Sequence, residues 1–190
     1  VGVCHSDLHY IDGFYTTPTP TILGHEAAGI VEKVGSDVHY VKPGDHVISC
    51  LSVFCGHCAH CTTGRPFICE NPETARAPED RPRLQQDGHP VHQFYNLSSF
   101  AEYMLVHEHA LVKIRPDMPL DRAALIGCAV TTGVGAVTNT AQVEVGATIA
   151  VIGCGGIGLS AINGAAISGA GRIIAIDMND SKLDTARTFG

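Results

Sequence analysis

The apolar stretch Thr148-Ile149-Ala150-Val151-Ile152 runs directly into Gly153-Cys154-Gly155-Gly156-Ile157-Gly158 and then into small residues as far as Ile167. A buried parallel strand, a glycine turn and a helix fit that order, because only a strand covered on both faces is apolar throughout. A second such strand, Arg172 to Asp177, follows, and Asn179 or Asp180 can cap one more helix. The pattern is one βαβ unit plus a helix, with a right-handed crossover expected. In this setting GxGxxG has a mechanism. Gly153 permits the tight turn, Gly155 lets the backbone approach a pyrophosphate, and Gly158 lets the helix lie close to the strand. The N-terminus of that helix, read as Gly158 to Ile167, faces the phosphates with partial positive charge, and Gly156 and Ile157 join the cofactor-binding set. Asp177, at the end of the second strand, suits ribose hydroxyls and repels a 2′-phosphate, so NAD is expected over NADP. The competing reading is a glycine-rich turn in an α/β protein that binds no nucleotide. Cys154 sits at a free position and is expected to be inert.

Upstream the texture differs. Short β-branched runs lie between turns: Gly29 to Val34, His46 to Ser49 after Pro43-Gly44-Asp45, Ala101 to Val106, and Leu111 to Ile114. These suggest an antiparallel barrel or sandwich. Pro72 to Gly88, rich in Pro, charge and Gln, reads as an exposed excursion. Asp121 is placed to cap a helix through Ala123-Ala124-Leu125.

Between these regions stands Cys55-x2-Cys58-x2-Cys61-x7-Cys69. The segment has almost no aliphatic residues, so it needs a clamp other than a core. Four thiolates can surround zinc tetrahedrally with no open position, which makes a structural site rather than a catalytic one. Disulfides are the alternative, and the ordinary large core elsewhere favours metal. His57 and His60 could compete as ligands, but four thiolates already suffice.

Net charge is -7, with no basic stripe, which argues against a nucleic-acid or anionic-membrane partner. No apolar run reaches transmembrane length. The chain opens at Val1 without an initiator Met and stops at Phe189-Gly190, so truncation at both ends is expected, and the reading leaves a signal peptide open.

Three further groups carry metal-ligand chemistry: Cys4-His5-Ser6-Asp7-Leu8-His9, Gly24-His25-Glu26 and Gly127-Cys128. Spacing alone does not bring them together. Their order does resemble a known family. Taken with Ala27-Ala28-Gly29, Pro43-Gly44-Asp45, the four-Cys loop, Thr132-Gly133 and the GxGxxG, the chain is similar to the zinc-containing medium-chain alcohol dehydrogenases over essentially its whole length.

That resemblance implies a GroES-like antiparallel barrel catalytic domain over 1–129, with its structural zinc loop at 50–70. The first half of a Rossmann NAD-binding domain follows over 130–190. It implies a catalytic zinc on Cys4, His25 and Cys128, a structural zinc on Cys55, Cys58, Cys61 and Cys69, and so two zinc ions per subunit. It implies that Ser6 accepts the alcohol proton, that His9 is the outer member of a relay through the cofactor ribose, and that Asp7 holds the His25 tautomer. Glu26 matches an acidic residue behind the zinc. His5 matches a pyrophosphate contact, Thr132 a nicotinamide contact, and Lys182 joins the cofactor set. The expected reaction is reversible oxidation of a primary alcohol to an aldehyde with hydride passing to NAD. Phe14 and Tyr15 match substrate-pocket positions and suit an aromatic or medium-chain alcohol.

The excursion from Glu70 to Asn96 resembles the long form seen in both thiol-dependent formaldehyde dehydrogenases and aryl-alcohol enzymes. An S-hydroxymethyl thiol is therefore the alternative substrate. A cytoplasmic homo-oligomer is implied for the complete protein, and residues 1–190 alone are expected to be inactive. A zinc-ribbon binding module and a non-catalytic Rossmann sensor are the readings from other classes. The acidic charge argues against the first, and the joint presence of Cys4, Ser6, His9, His25 and Cys128 against the second.

Overall fold

The computed structural model describes residues 1–71, 74, 80 and 83–190. The chain divides into two compact units, Val1–Gly127 and Cys128–Gly190.

The first unit begins with helix α1, His5–Ile11. Cys4 is its N-cap, and the Asp7 carboxylate reaches back to the Cys4 N–H at 3.1 Å, satisfying a donor that the helix start leaves open. Strands β1 (Thr21–Ile22), β2 (Ala28–Ile30) and β3 (His46–Ser49) follow, then the short helix α2 (Ala59–Thr62), β4 (Leu84–Gln86), β5 (His89–Gln93), β6 (Leu111–Lys113) and helix α3 (Leu120–Ala123). Strand β3 is central in an antiparallel sheet of order β2-β3-β6, with Gly29 opposite Val47 and Ile48 opposite Val112. Val47, Ile48 and Ser49 are all buried, as a strand covered on both faces requires.

A second sheet, β1-β5-β4, is mixed: β1 runs parallel to β5, while β4 and β5 form a hairpin. Where an antiparallel barrel is expected from sequence, the described strands make two three-stranded sheets with no closed ring among the described residues. Each strand is short, and the chain leaves the ladder soon after Ile30 and returns at Asp45, where Val31 N–H donates to the Asp45 carbonyl.

Three local expectations are corrected. Ala101 to Val106 is irregular, with Tyr103 and Leu105 exposed, and pairs with no strand among the described residues. Asp121 does not cap α3. Pro119 does, its carbonyl accepting from Arg122 and Ala123, which leaves Asp121 inside the first turn. The 72–88 excursion ends in β4 and the turn of the β4–β5 hairpin, made at Asp87-Gly88 with both residues at positive φ. The rest of that excursion lies largely outside the described residues.

The second unit opens with helix α4 (Ala129–Gly135), continued by a wider turn over Ala136–Thr140. Strands β7 (Thr148–Ile152) and β8 (Arg172–Ile176) pair in parallel, joined by helix α5 (Gly156–Ile167), and helix α6 (Asp180–Ala186) follows. Asn179 caps α6 by accepting from the Ser181 N–H. Val151, Cys154, Ile162 and Ala186 form the core, with Ile149, Leu159, Ile173 and Leu183 packed around them. Helices α4 and α5 touch closely because Gly133 has no side chain. A Cβ there would stand 2.4 Å from the Ile157 carbonyl oxygen.

Candidate functional site

In the first unit, ligand atoms of Cys4, His25 and Glu26 lie within 4.8 Å of one another. They come from different elements, Cys4 from the start of α1 and His25-Glu26 from the approach to β2. What joins them is Asp7, fully shut off from solvent. Its Oδ2 accepts from Cys4 N–H, and its Oδ1 accepts from Gly24 N–H at 3.0 Å and lies 3.3 Å from His25 Nδ1. With Nδ1–H donating to Asp7, the lone pair of His25 lies on Nε2, the tautomer a metal-bound histidine takes. The Glu26 backbone is fixed by the bridge to Gly2, where a Cβ would fall 2.1 Å from Glu26 Oε2. Thiol, buried imidazole and buried carboxylate at this separation fit zinc.

Ser6 Oγ is 3.7 Å from Cys4 Sγ, and His9 follows three residues later on the same face of α1. His5 is exposed, its ring 5.7 Å from that of His9. Cys128 is half-buried and follows Gly127, whose backbone is pressed so close to the Ser49 carbonyl that a Cβ would stand 2.0 Å from it.

An aromatic cluster surrounds His25 and His9, and the sequence reading found only part of it. Phe14 and Tyr15 lie 5.3 and 5.6 Å from the His9 ring. Phe94 and Tyr95 each lie 5.9 Å from the His25 ring, and Tyr10 packs on both. Tyr10, Phe94 and Tyr95 were missed because no local motif marks them. The one signal available was the density of aromatics in Phe94-Tyr95. The Tyr10 hydroxyl, 3.5 Å away, and then burial push the Tyr95 phenol up to about 12, so it stays neutral.

The four cysteines of the loop converge. Cys58 Sγ is 3.5 Å from Cys61 Sγ and 3.9 Å from Cys69 Sγ, and Cys55 Sγ is 3.9 Å from Cys61 Sγ. A tetrahedron of thiolates on zinc has edges of about 3.8 Å, and a disulfide would be far shorter. The geometry therefore fits a metal with four sulfur ligands. Burial acts to raise the Cys55 thiol, but the N–H groups of His57 and Cys58 outweigh it and bring it down to about 6. Burial pushes Cys61 up to about 11. The Asn71 N–H, with that of Cys55, lowers Cys69. His60 faces Glu70 at 3.5 Å and His57 faces Asn71, so both histidines point to partners beyond the cluster.

In the second unit, Gly153 has φ +91° and makes the turn. A Cβ on Gly158 would meet the Gly153 carbonyl oxygen at 1.8 Å, whereas one on Gly155 would meet nothing within 4 Å. Gly155 thus leaves open space beside the N-terminus of α5, as a pyrophosphate needs. Gly156 and Ile157 begin the helix, Ile157 half-exposed. Asp177 accepts from Cys154 N–H at 2.8 Å and from Asn179 N–H at 3.0 Å, and these bonds hold its carboxyl below the usual range. Lys182 Nζ stands 4.0 Å from Asp177 Oδ2, and Thr132 is exposed on α4. Cys154 is buried in the core, consistent with an inert thiol.

The family described as alcohol dehydrogenase GroES-like domain matches residues 1–117. Alcohol dehydrogenase class-3 of Pisum sativum is 43% identical over 99% of this chain and 51% of its own length. S-(hydroxymethyl)glutathione dehydrogenase of Photobacterium damsela subsp. piscicida is 44% identical over 100% of this chain and 53% of its own. Among solved structures, benzyl alcohol dehydrogenase from Acinetobacter calcoaceticus superposes with a TM-score of 0.85 at 36% identity, covering 100% of this chain and 52% of that one. An alcohol dehydrogenase zinc-binding domain protein from Burkholderia ambifaria gives a TM-score of 0.91 at 40% identity, covering 100% and 52%. The chain spans about half the length of the curated relatives it matches. Matched over residues 1–117, well over half its length, the chain belongs to the alcohol dehydrogenase GroES-like domain family.

Proposed function

We propose that this protein is a zinc-dependent, NAD-linked dehydrogenase that reversibly oxidises a primary alcohol to its aldehyde. The observation that carries the reading is the buried Asp7 carboxylate, which orders the Cys4 backbone and the buried His25 imidazole at once. Cys128 is proposed as the third ligand, on the resemblance and on its place directly after the confined Gly127.

Cys4, His25 and Cys128 would hold a zinc ion, which would supply Lewis acidity toward an alcohol oxygen, and Gly153, Gly155, Gly156, Ile157 and Gly158 would seat NAD, which would supply the hydride acceptor. The chain's own residues do the rest. Ser6 Oγ takes the alcohol proton and His9 passes it outward, a route a buried site needs because bulk base cannot reach it. Asp7 keeps His25 Nδ1 protonated, and Glu26 adds negative charge behind the ligands. Asp177 and Lys182 hold the adenosine ribose, while His5 and Thr132 contact the cofactor's pyrophosphate and nicotinamide. Cys55, Cys58, Cys61 and Cys69 hold a second zinc that clamps the loop.

The apolar faces of Tyr10, Phe14, Tyr15, Phe94 and Tyr95 around His9 and His25 favour an aromatic or medium-chain alcohol. The relatives named S-(hydroxymethyl)glutathione dehydrogenase support a second reading, in which the alcohol is an S-hydroxymethyl thiol. A cytoplasmic setting and a homo-oligomer are proposed from the resemblance. No disulfide joins any of the eight cysteines, which suits a reducing compartment, and among the described residues no single helix is long and apolar enough to cross a membrane.

The test measures metal content and NADH formation by the complete protein, of which residues 1–190 are a part, with benzyl alcohol and S-hydroxymethylglutathione side by side. NADH from benzyl alcohol supports the first reading, and exclusive use of the glutathione adduct moves the assignment to the second. Zinc-loaded protein that reduces NAD with neither overturns both. His9→Gln should slow oxidation most at lower pH, with partial recovery on adding small bases, and an unchanged pH profile would remove His9 from the proton route.

A further inference from the structure

We infer that His109 is a positioning residue for the four-cysteine metal site, holding the peptide group that enters the loop so that Cys55 meets its partners in register. The inference rests on the reading of that cluster as a zinc site.

Loop 55–69 has no core of its own. Neither α2 nor the 3₁₀ turn Pro66–Ile68 buries a residue, and Phe67 and Ile68 are exposed. Its entry is nonetheless gripped. His109 Nδ1 lies 2.6 Å from the Phe54 carbonyl oxygen, and the His109 and Phe54 rings stack at 4.8 Å with only 11° between their planes. The Phe54 carbonyl and the Cys55 N–H belong to one planar peptide group. That same N–H donates to Cys69 Sγ at 3.4 Å, while Cys55 Sγ accepts from Cys58 N–H at 3.3 Å. A donor on the carbonyl side therefore fixes the tilt of the plane and strengthens the N–H bond to sulfur on the other side. Rotating this one group would disturb two of the four thiols together.

His109 itself stands on firm ground. Its N–H is accepted by His107 Nδ1 at 3.1 Å, Ala110 beside it is fully buried, and the Ala110 carbonyl accepts from Cys50 N–H at 2.8 Å. Leu111 then pairs with Ser49 in the β3–β6 ladder. His109 thus joins a coreless metal loop to the central sheet, and nothing in the cysteine spacing announces it.

The test uses purified protein with cobalt(II) in place of zinc, together with release of zinc to a chelator. His109→Phe keeps the stacked ring and removes the donor, His109→Ala removes both, and His109→Asn restores an N–H donor. Removing the donor should speed metal release from the four-cysteine site about tenfold or more and shift its thiolate-to-cobalt absorption, leaving release from the Cys4 site unchanged. His109→Asn should recover part of the loss, which a purely packing role would not produce. If Ala fails to fold, the Phe variant decides. Parent-like release and spectrum in the Phe variant overturn the inference while the zinc reading stands. A parent protein without a four-thiolate cobalt spectrum overturns both.

Discussion

Asp7 and His25 face each other across 3.3 Å, Oδ1 to Nδ1, with both side chains closed off from solvent. Because the same carboxylate also takes the Gly24 and Cys4 N–H groups, its replacement has separable effects. Asp7→Asn keeps an acceptor but loses the charge behind the imidazole, and should lower zinc affinity at the Cys4 site about 10–100-fold. Asp7→Ala leaves buried N–H groups without an acceptor and should also cost about 2–4 kcal/mol of stability. Metal titration and thermal unfolding of the two variants check this. Equal zinc affinity in parent and Asn variant would detach Asp7 from the ligand.

The two cysteine sets should answer independently to substitution. Cys61→Ser is expected to lose one zinc and much stability, because the elements of loop 55–69 bury no core of their own. Cys4→Ser should lose the other zinc and abolish turnover while keeping the fold. Metal content by mass spectrometry, read beside circular dichroism, distinguishes the two. A parent that carries a single zinc would remove one ligand set.

Gly155 and Gly158 look alike in sequence and should behave differently. A Cβ on Gly158 collides with the Gly153 carbonyl, so Gly158→Ala should lower both thermal stability and NAD affinity. A Cβ on Gly155 meets only open space, at a backbone conformation alanine tolerates, so Gly155→Ala should keep stability and lose NAD affinity. Melting curves with and without NAD give the answer. Undiminished NAD binding in Gly155→Ala would move the pyrophosphate elsewhere.

Asp177 should govern cofactor choice and acid sensitivity together. Asp177→Ser removes the charge that repels a 2′-phosphate, so relative NADP use should rise. The N–H donors of Cys154 and Asn179 lower the Asp177 carboxyl in the folded chain. Its stabilising contribution is therefore complete above the unfolded value of about 3.9 and disappears as pH falls through the lower folded value. Asp177→Asn should flatten the acid limb of stability in that window, measured by unfolding across a pH series. An acid limb identical to the parent's would contradict the bond to Cys154.

The parts of the molecule that could be read from sequence are those where chemistry is local. Cysteine spacing identified four thiols that meet, and the glycine run identified the turn between β7 and α5, because in each case one short segment carries the requirement. Strand His46–Ser49 is legible from the Pro43-Gly44-Asp45 turn before it and from Val47 and Ile48, and Thr148–Ile152 from its aliphatic run, but the expected burial of the latter on both faces is not met: only Val151 is buried and Ile152 is exposed. Ala101 to Val106 is also mostly apolar but lacks a pairing partner among the described residues, and a strand exists only as half of a ladder. The β4–β5 hairpin did carry a signal, Asp87-Gly88, the pair a two-residue turn with positive φ prefers. The surrounding Pro and Gln outweighed it. Tyr10 and Tyr95 are 85 positions apart, and His109 and Phe54 are 55 apart, so those contacts exist only once the chain has folded.

The double engagement of Asp177 has a consequence for redesign. The carboxylate proposed to select the cofactor also ties the amide of Cys154 in the glycine turn to the end of β8. An engineer who exchanges Asp177 for a small residue to admit a phosphorylated dinucleotide therefore also unties the turn on which either cofactor must sit. Variants that keep an acceptor for the Cys154 N–H, such as serine or asparagine, should retain a working turn where alanine or glycine does not. A library at this position sorted only by cofactor preference would confuse lost discrimination with lost architecture.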